Sequence, residues 1–352
     1  MTTIASVQSP AQNINKVTVD HAVATMEDGR VISTPFWRVD SGKDGPSLAL
    51  VAAQHGNEVQ GAEVSRRLMN LCAEKLVSGS IWLLPLGNIL AIRSRRHSFD
   101  LEPEQDNAAN PNKFHNMQRH WPGNPGGNDT ARLAYAIDQK VLRHCSHMVD
   151  MHCWEHIVAA EALSEETHEP SRSMGDVTTT RFISYRNTVI PQSDTMMISQ
   201  MMLKRKAGVH VMELSGQYQI GARQVETGLS SMINIAKLLK MIEGEPEMIN
   251  GKRAVRTREN TFEVLAPCTG MFMAALTNDQ TRMLEAEDFV EEGQQIGHII
   301  RESDLEIVPV TASVSGYLWQ FGMCHWGLCD ASLPALHPYI EEGEKIASIV
   351  TV

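Results

Sequence analysis

Three stretches of the sequence end an apolar run on a side chain that could do chemistry. In AAQHGNEVQG (52–61) the run breaks at His55, with Glu58 three positions later; HMVDMH (147–152) closes on His152, with Asp150 two residues before it; GVHVME (208–213) closes on Glu213. Folding alone asks for none of these, because a buried ionisable group is costly unless it is paired. Two imidazoles and a carboxylate converging from separate elements suit a divalent cation. With one position left open they match the donor set of a catalytic zinc site. Asp150 falls on the same strand face as His152 and is placed to orient that imidazole. Hydrolysis at such a site needs a base for the attacking water, and Glu213 is the candidate. A developing oxyanion would want a fixed cation, which the run Arg93-Ser-Arg95-Arg96-His97 offers, although basic runs are mostly solvated faces.

These side chains need elements to hold them. Residues 16–40 alternate around Asp28-Gly29, a dipeptide suited to a hairpin turn, and predict two or three leading strands. A continuous apolar strand at 48–54, a helix at 58–76 and a strand at 80–86 follow, the order expected of a parallel sheet. If Glu58 opens that helix, positions i and i+3 put it on one face with His55. A helix at 129–145, strands at 147–152 and 208–213, and a helix at 226–243 continue the pattern. The segments 94–128 and 155–195 read as long loops, of the kind that are usually functional.

Beyond Gly244 the texture becomes short β-like runs with glycine turns, and an internal repeat emerges. FVEEGQQIGHII (289–300) echoes YIEEGEKIASIV (339–350), and each is preceded by a small-Gly-apolar stretch, Thr269-Gly270-Met271-Phe272 and Ser315-Gly316-Tyr317-Leu318. Two similar β units forming one small barrel is the economical reading. The expected organisation is an N-terminal β segment at 1–40, a catalytic domain at 41–249 and a C-terminal all-β domain at 250–352.

The 352 residues carry 42 acidic and 31 basic side chains, a formal net charge of −11, which disfavours nucleic acid or an anionic membrane as partner. Residues 1–15 lack the pattern of a signal peptide, and no run reaches the roughly 18 apolar residues of a membrane span. Six scattered cysteines in a chain this long predict reduced thiols rather than a disulfide scaffold. A cytoplasmic protein is expected, with room for a homo-oligomer.

The ordered set of His55-Gly-Asn-Glu58-x-x-Gly61, Asn88-x-x-Ala91 with Arg96, Arg119-x-x-Pro122-Gly123, Asp150-x-His152 and Glu213 resembles the succinylglutamate desuccinylase/aspartoacylase family, relatives of the zinc carboxypeptidases. The resemblance implies an α/β, zinc carboxypeptidase-like mixed-sheet catalytic domain followed by a β half-barrel of biotinyl/lipoyl type. It implies one zinc per chain on His55, Glu58 and His152, with Glu213 as general base and acid. Arg96 takes the place of the arginine that polarises the scissile carbonyl, with Arg95 as the adjacent alternative. Arg119 takes the place of the arginine that binds the substrate carboxylate, a task suited to a guanidinium fork. The family's Asp-Leu-Asn-Arg reads here Asn116-Met-Gln118-Arg119, so Gln118 carries its amide one methylene further out.

The implied activity is hydrolysis of the amide bond of an N-acyl amino acid or a similar small carboxylate-bearing amide. A metallocarboxypeptidase acting on a peptide or amino-acid conjugate is the alternative, and a metal-free binding protein on the same scaffold a third. Cys324-His325-x-x-x-Cys329 lacks a fourth donor at zinc-finger spacing. His144, His147 and His156 crowd His152 in sequence but are expected to point elsewhere. A carrier domain would need a lysine in the hairpin between the repeats, and that hairpin reads Arg301-Glu-Ser-Asp-Leu305-Glu.

Overall fold

The computed structural model describes residues 15–99, 115–249, 251–322, 325–326, 334–335 and 337–352. Two long strands open it, β1 (Lys16–Thr25) and β2 (Val31–Asp40), paired antiparallel from Lys16↔Asp40 to Thr25↔Val31. Gly29 turns the hairpin with φ of 84°. Next come β3 (Ser47–Ala52), α1 (Gln60–Lys75), β4 (Ser80–Leu84), α2 (Ile89–Ser94), α3 (Asp129–Lys140) and β5 (His147–Trp154). They are followed by β6 (Glu161–Glu165), α4 (Glu169–Asp176), β7 (Phe182–Arg186), α5 (Ile198–Lys204), β8 (Gly208–Ser215), α6 (Ala222–Leu238) and β9 (Ala254–Val255).

All nine strands form one mixed sheet in the order β1-β2-β4-β3-β5-β8-β6-β7-β9. Its centre, β4-β3-β5-β8, is parallel, while β2 and β6 join it antiparallel. The central strands are buried on both faces, which is why they read as unbroken apolar runs. Val64, Leu68 and Cys72 of α1, with Val225, Met232 and Ile235 of α6, cover one face. Leu133 and Ile137 of α3, with Ile198, Met201 and Met202 of α5, cover the other. In α1 the buried Gly61, Val64, Ser65, Leu68 and Cys72 recur at spacings of three and four, the stripe that drives a helix onto a sheet.

The segment 155–195, expected to be loop, contains β6, α4 and β7. Its interior positions include Glu161, Ser164 and Glu165, all buried. Polar residues at core positions erase the alternation by which a strand is recognised. Glu58 does not open α1 either, since the helix starts at Gln60 with Val59 as its N-cap.

The C-terminal region packs two four-stranded antiparallel sheets face to face. Its strands are β10 (Thr261–Leu265), β11 (Gly270–Ala274), β12 (Phe289–Val290), β13 (Gln295–Arg301), β14 (Ile307–Thr311), β15 (Gly316–Phe321), β16 (His325–Trp326), β17 (Pro334–Ala335), β18 (Tyr339–Ile340) and β19 (Lys345–Val350). One sheet runs β10-β19-β15-β12 and the other β14-β13-β11-β18, with β16-β17 a separate pair. The sequence repeat maps onto this arrangement. Val290 pairs with Gly316, and Ile340 pairs with Gly270, so each copy lends its short strand to the other copy's sheet. Both glycines are needed for the close approach: a Cβ at Gly270 would sit 2.1 Å from the Ile300 carbonyl oxygen, and one at Gly316 would sit 2.4 Å from that of Val350. This region docks on the segment that joins β5 to β6 through main-chain bonds, Ala159 N–H to Trp319 O at 2.8 Å and Phe321 N–H to Ile157 O at 2.9 Å.

Candidate functional site

Strand β3 ends at Ala52, and Ala53 adopts a left-handed φ of 53°, which swings His55 and Glu58 over the carboxyl ends of the parallel strands. A tight turn with the Glu58 N–H on the His55 carbonyl, 3.1 Å, brings the two side chains together. The expected i, i+3 proximity is therefore present, made by a turn instead of a helix. Gly56 makes room for it, because a Cβ there would lie 2.2 Å from the Ala91 carbonyl and 2.5 Å from that of Arg96.

His55, Glu58 and His152 are all buried, and their ligand atoms lie within 4.8 Å of one another. The Glu58 carboxylate stands between the imidazoles, Oε1 at 2.8 Å from His55 Nδ1 and Oε2 at 2.7 Å from His152 Nδ1. The far ring nitrogens meet oxygens of other side chains. His55 Nε2 is 3.1 Å from Asn116 Oδ1, and His152 Nε2 is 3.0 Å from Asp150 Oδ2. Among the described residues neither His152 Nε2 nor Asp150 Oδ2 has a hydrogen-bond partner. Asp150 is in turn held by Gln54 Nε2 at 2.6 Å, and Gln54 Oε1 accepts from the indole of the fully buried Trp121 at 2.8 Å.

An acceptor oxygen lies against each far nitrogen while each Nδ1 faces Glu58, the pattern expected of imidazoles around a metal. Two nitrogens and a carboxylate suit a divalent cation. In the protein alone, burial opposes ionisation of Glu58, but the two imidazoles outweigh it and hold the carboxyl far below its usual range. Burial likewise disfavours a charged His152, and Asp150 and Glu58 overcome that and push its pKa well up. A cation entering the cluster takes the place of these protons.

Glu213 lies beside His152, its register partner on the neighbouring strand. Its Oε2 is buried with no hydrogen-bond partner among the described residues, and burial pushes its pKa well above the carboxylate range. Across β6 its partner is Glu161, which in contrast is saturated. Arg256 Nε reaches both Glu161 oxygens at 3.0 Å, Trp319 Nε1 donates at 2.8 Å, and the Ser184 hydroxyl also donates.

The candidate arginines lie on segments that pass beside His55. Arg95 is exposed, the left-handed cap of α2 at φ 56°, whereas Arg96 is half-buried with its carbonyl against Gly56. Arg119 ends a short 3-10 turn, Met117–Arg119, and is exposed. Gln118 is half-buried, its N–H bonded to Asn116 Oδ1 at 3.0 Å. His97 stacks on His55, ring centroids 3.6 Å apart, and burial together with that neighbour lowers its pKa to about 3. His144 stacks on Trp82 and His147 bonds Ser146, away from the cluster. Cys324 and Cys329, and the segment 106–112, lie outside the described residues.

Sequence reasoning passed over Gln54, His97, Asn116, Trp121 and Glu161. Asn116 was detectable as the first position of the Asn-Met-Gln-Arg motif, and Gln54 as the neighbour of His55. Glu161 carries no local signal, because its partners Arg256 and Trp319 lie far along the chain.

Residues 44–239 match the succinylglutamate desuccinylase/aspartoacylase catalytic domain. The chain belongs to this family. No curated protein matches it. Among solved structures it is similar to an aspartoacylase family protein from Mesorhizobium loti, with 17% identity, TM-score 0.65 and 97% of both chains covered. It is also similar to the product-bound ectoine utilization protein EutE (DoeB) from Ruegeria pomeroyi, with 15% identity, TM-score 0.66 and 99% of this chain and 98% of that one covered. A succinylglutamate desuccinylase/aspartoacylase from Rhodobacter sphaeroides matches with 19% identity, TM-score 0.64 and 98% of both chains. At these identities the likeness is one of fold, and it extends through the C-terminal β region. Membership brings the family's hydrolytic, deacylase-type chemistry to the chain, and among the described residues no helix is long and apolar enough to cross a membrane.

Proposed function

We propose that the protein is a zinc-dependent amidohydrolase that cleaves the amide bond of an N-acyl amino acid or similar small carboxylate-bearing amide. The observation that carries this reading is Glu213, a half-buried residue whose Oε2 is buried with no hydrogen-bond partner among the described residues, beside the His55–Glu58–His152 cluster. His55, Glu58 and His152 would hold a zinc ion, which would supply Lewis acidity to a carbonyl and to water. Glu213 takes the proton of the water that attacks the carbonyl carbon. It then passes that proton to the leaving nitrogen as the C–N bond breaks, so one carboxyl serves as base and acid. Arg96 donates to the carbonyl oxygen as negative charge develops there, with Arg95 beside it as the alternative. Arg119 grips the substrate carboxylate, with the Gln118 amide alongside. One water is consumed, and a carboxylic acid and an amine leave.

The same reading assigns the zinc carboxypeptidase-like unit to 41–249, with 1–40 as an N-terminal β segment on it and 250–352 as the half-barrel. The substrate is a small molecule, and nucleic acid and membrane are not partners. The test is metal analysis of the purified protein together with turnover of a panel of N-acetyl, N-succinyl and longer N-acyl amino acids and dipeptides, beside Glu213→Gln. Stoichiometric zinc and deacylation that Glu213→Gln abolishes are expected. Full activity in that variant sinks the mechanism, and cleavage confined to dipeptides makes the enzyme a carboxypeptidase.

A further inference from the structure

The sheet order lays the site out as a line. His55, Asn116, Gln118 and Arg119 gather near β3, His152 lies on β5, Glu213 on β8 and Glu161 on β6. At the β6 end two indoles meet. Trp154 follows His152 by two residues on the same strand face, and Trp319 arrives from the C-terminal β15. Their rings form an edge-to-face pair with centroids 5.5 Å apart, and both are half-buried. Trp319 is fixed from three directions: by its carbonyl to Ala159, by its indole N–H to Glu161, and by the Arg256 guanidinium 4.2 Å above its ring. A ring held this firmly is a preorganised surface, and binding against it loses little side-chain entropy.

The charge at this end is equally defined. Glu161 and Glu213 are neighbours across the strand pair, and the guanidinium of Arg256 is committed to Glu161. A second anion placed here would meet two carboxyls and a cation already neutralised, an unfavourable setting for it. An apolar or aromatic group would meet two indole surfaces.

We propose that Trp154 and Trp319 form the wall that receives the acyl group of the substrate, and that this group is an uncharged alkyl or aryl acyl chain rather than one ending in a carboxylate. The proposal rests on the reading in which Arg119 holds the carboxylate of the amino-acid part, since that places the acyl part at the opposite end of the line. It gives the C-terminal β region a share in specificity through a single side chain.

Ketone isosteres of N-hexanoyl-, N-benzoyl- and N-succinyl-alanine, which cannot be cleaved, test this by calorimetry on the zinc-loaded protein. The hexanoyl and benzoyl isosteres are expected to bind at least about tenfold tighter than the succinyl one, consistent with the gain for several buried methylenes. Trp319→Ala should shrink that ratio to about two- to threefold. Trp319→Phe should keep most of it, because the ring stays while the bond to Glu161 is lost. Trp154→Leu serves as the second variant if Trp319→Ala melts below the assay temperature. Tightest binding of the succinyl isostere, or a Trp319→Ala variant that weakens all three equally, overturns the proposal. Binding of none of them, with no turnover of any acyl amino acid, overturns the hydrolase reading itself, so the two failures are told apart.

Discussion

The catalytic sheet and the C-terminal sandwich bury side chains under different rules. In the sandwich, nearly every interior position is apolar, and Ser348 is the buried polar residue among those described. Its two halves repeat the same solution, with Ile299 and Ile349 equivalent and both fully buried. The sheet instead buries ionisable groups at the ends of β3, β5 and β8. Among the described residues, buried side-chain atoms that lack a hydrogen-bond partner all lie at Arg253 or before it, and Asp150, His152 and Glu213 are among them. Leaving such atoms unsatisfied costs roughly 1–3 kcal/mol each. A fold keeps that cost where something else is gained, so the difference separates a region selected for packing from one selected for chemistry.

The largest expected effect breaks the comparison at its sharpest point. Glu213→Gln keeps the volume and removes the base, so kcat should fall by about 10²–10⁴-fold. Unfolding in urea should show stability unchanged or raised, because a neutral amide replaces a carboxyl that burial disfavours in its charged form. Loss of stability with activity intact would put Glu213 among ordinary packing residues. The complementary substitutions are Ile299→Ala and Ile349→Ala. Each should cost about 2–5 kcal/mol in urea unfolding, and the two costs should agree within about 1 kcal/mol, with turnover per folded molecule unchanged. Unequal costs would show that the repeat is preserved in sequence more than in packing.

How much of this could be read in the sequence follows the same division. The central strands, α1 and the repeat obey hydrophobic periodicity, and their positions were evident. The residues that carry the family resemblance include, beside the motifs at Asn88, Arg96 and Arg119, His55, Glu58, His152 and Glu213, which end apolar runs and so stand out against them. Glu161 and Glu165 were invisible for the opposite reason. They bracket β6, a strand of five residues too short to carry an apolar run for them to end, and the partners that make their burial tolerable, Arg256 and Arg186, are 95 and 21 residues away. The start of α1 was misplaced because the His55–Glu58 proximity belongs to a turn, and a spacing of three residues does not distinguish the two.

A smaller effect is expected at Asp150, which touches the far nitrogen of His152 without reaching the centre of the cluster. Asp150→Asn should weaken metal affinity by about 10–100-fold, seen in competition with a chelator, while leaving the fold in place. An unchanged affinity would mean that Glu58 and the strand alone orient the imidazole.

The smallest effect asks whether an unpartnered buried group marks chemistry wherever it occurs. His210 lies on β8 three residues before Glu213, is fully buried, and has no hydrogen-bond partner for either ring nitrogen among the described residues. It faces the opposite side of the sheet, near Gly175 of α4. Burial first, then Arg253 and Arg186, lower its pKa to about 3. The unfolded chain, with a histidine pKa near 6.5, therefore binds the proton more readily than the folded one. The stability that neutral His210 contributes is fully present above about pH 6.5 and is lost as pH falls from there toward 3, at up to about 1.4 kcal/mol per pH unit. His210→Leu should flatten the pH dependence of urea unfolding by that amount across the window and leave kcat unchanged. A fall in kcat would extend the functional region through the sheet to its other face, whereas a flattened profile alone confines it to the face that carries Glu213.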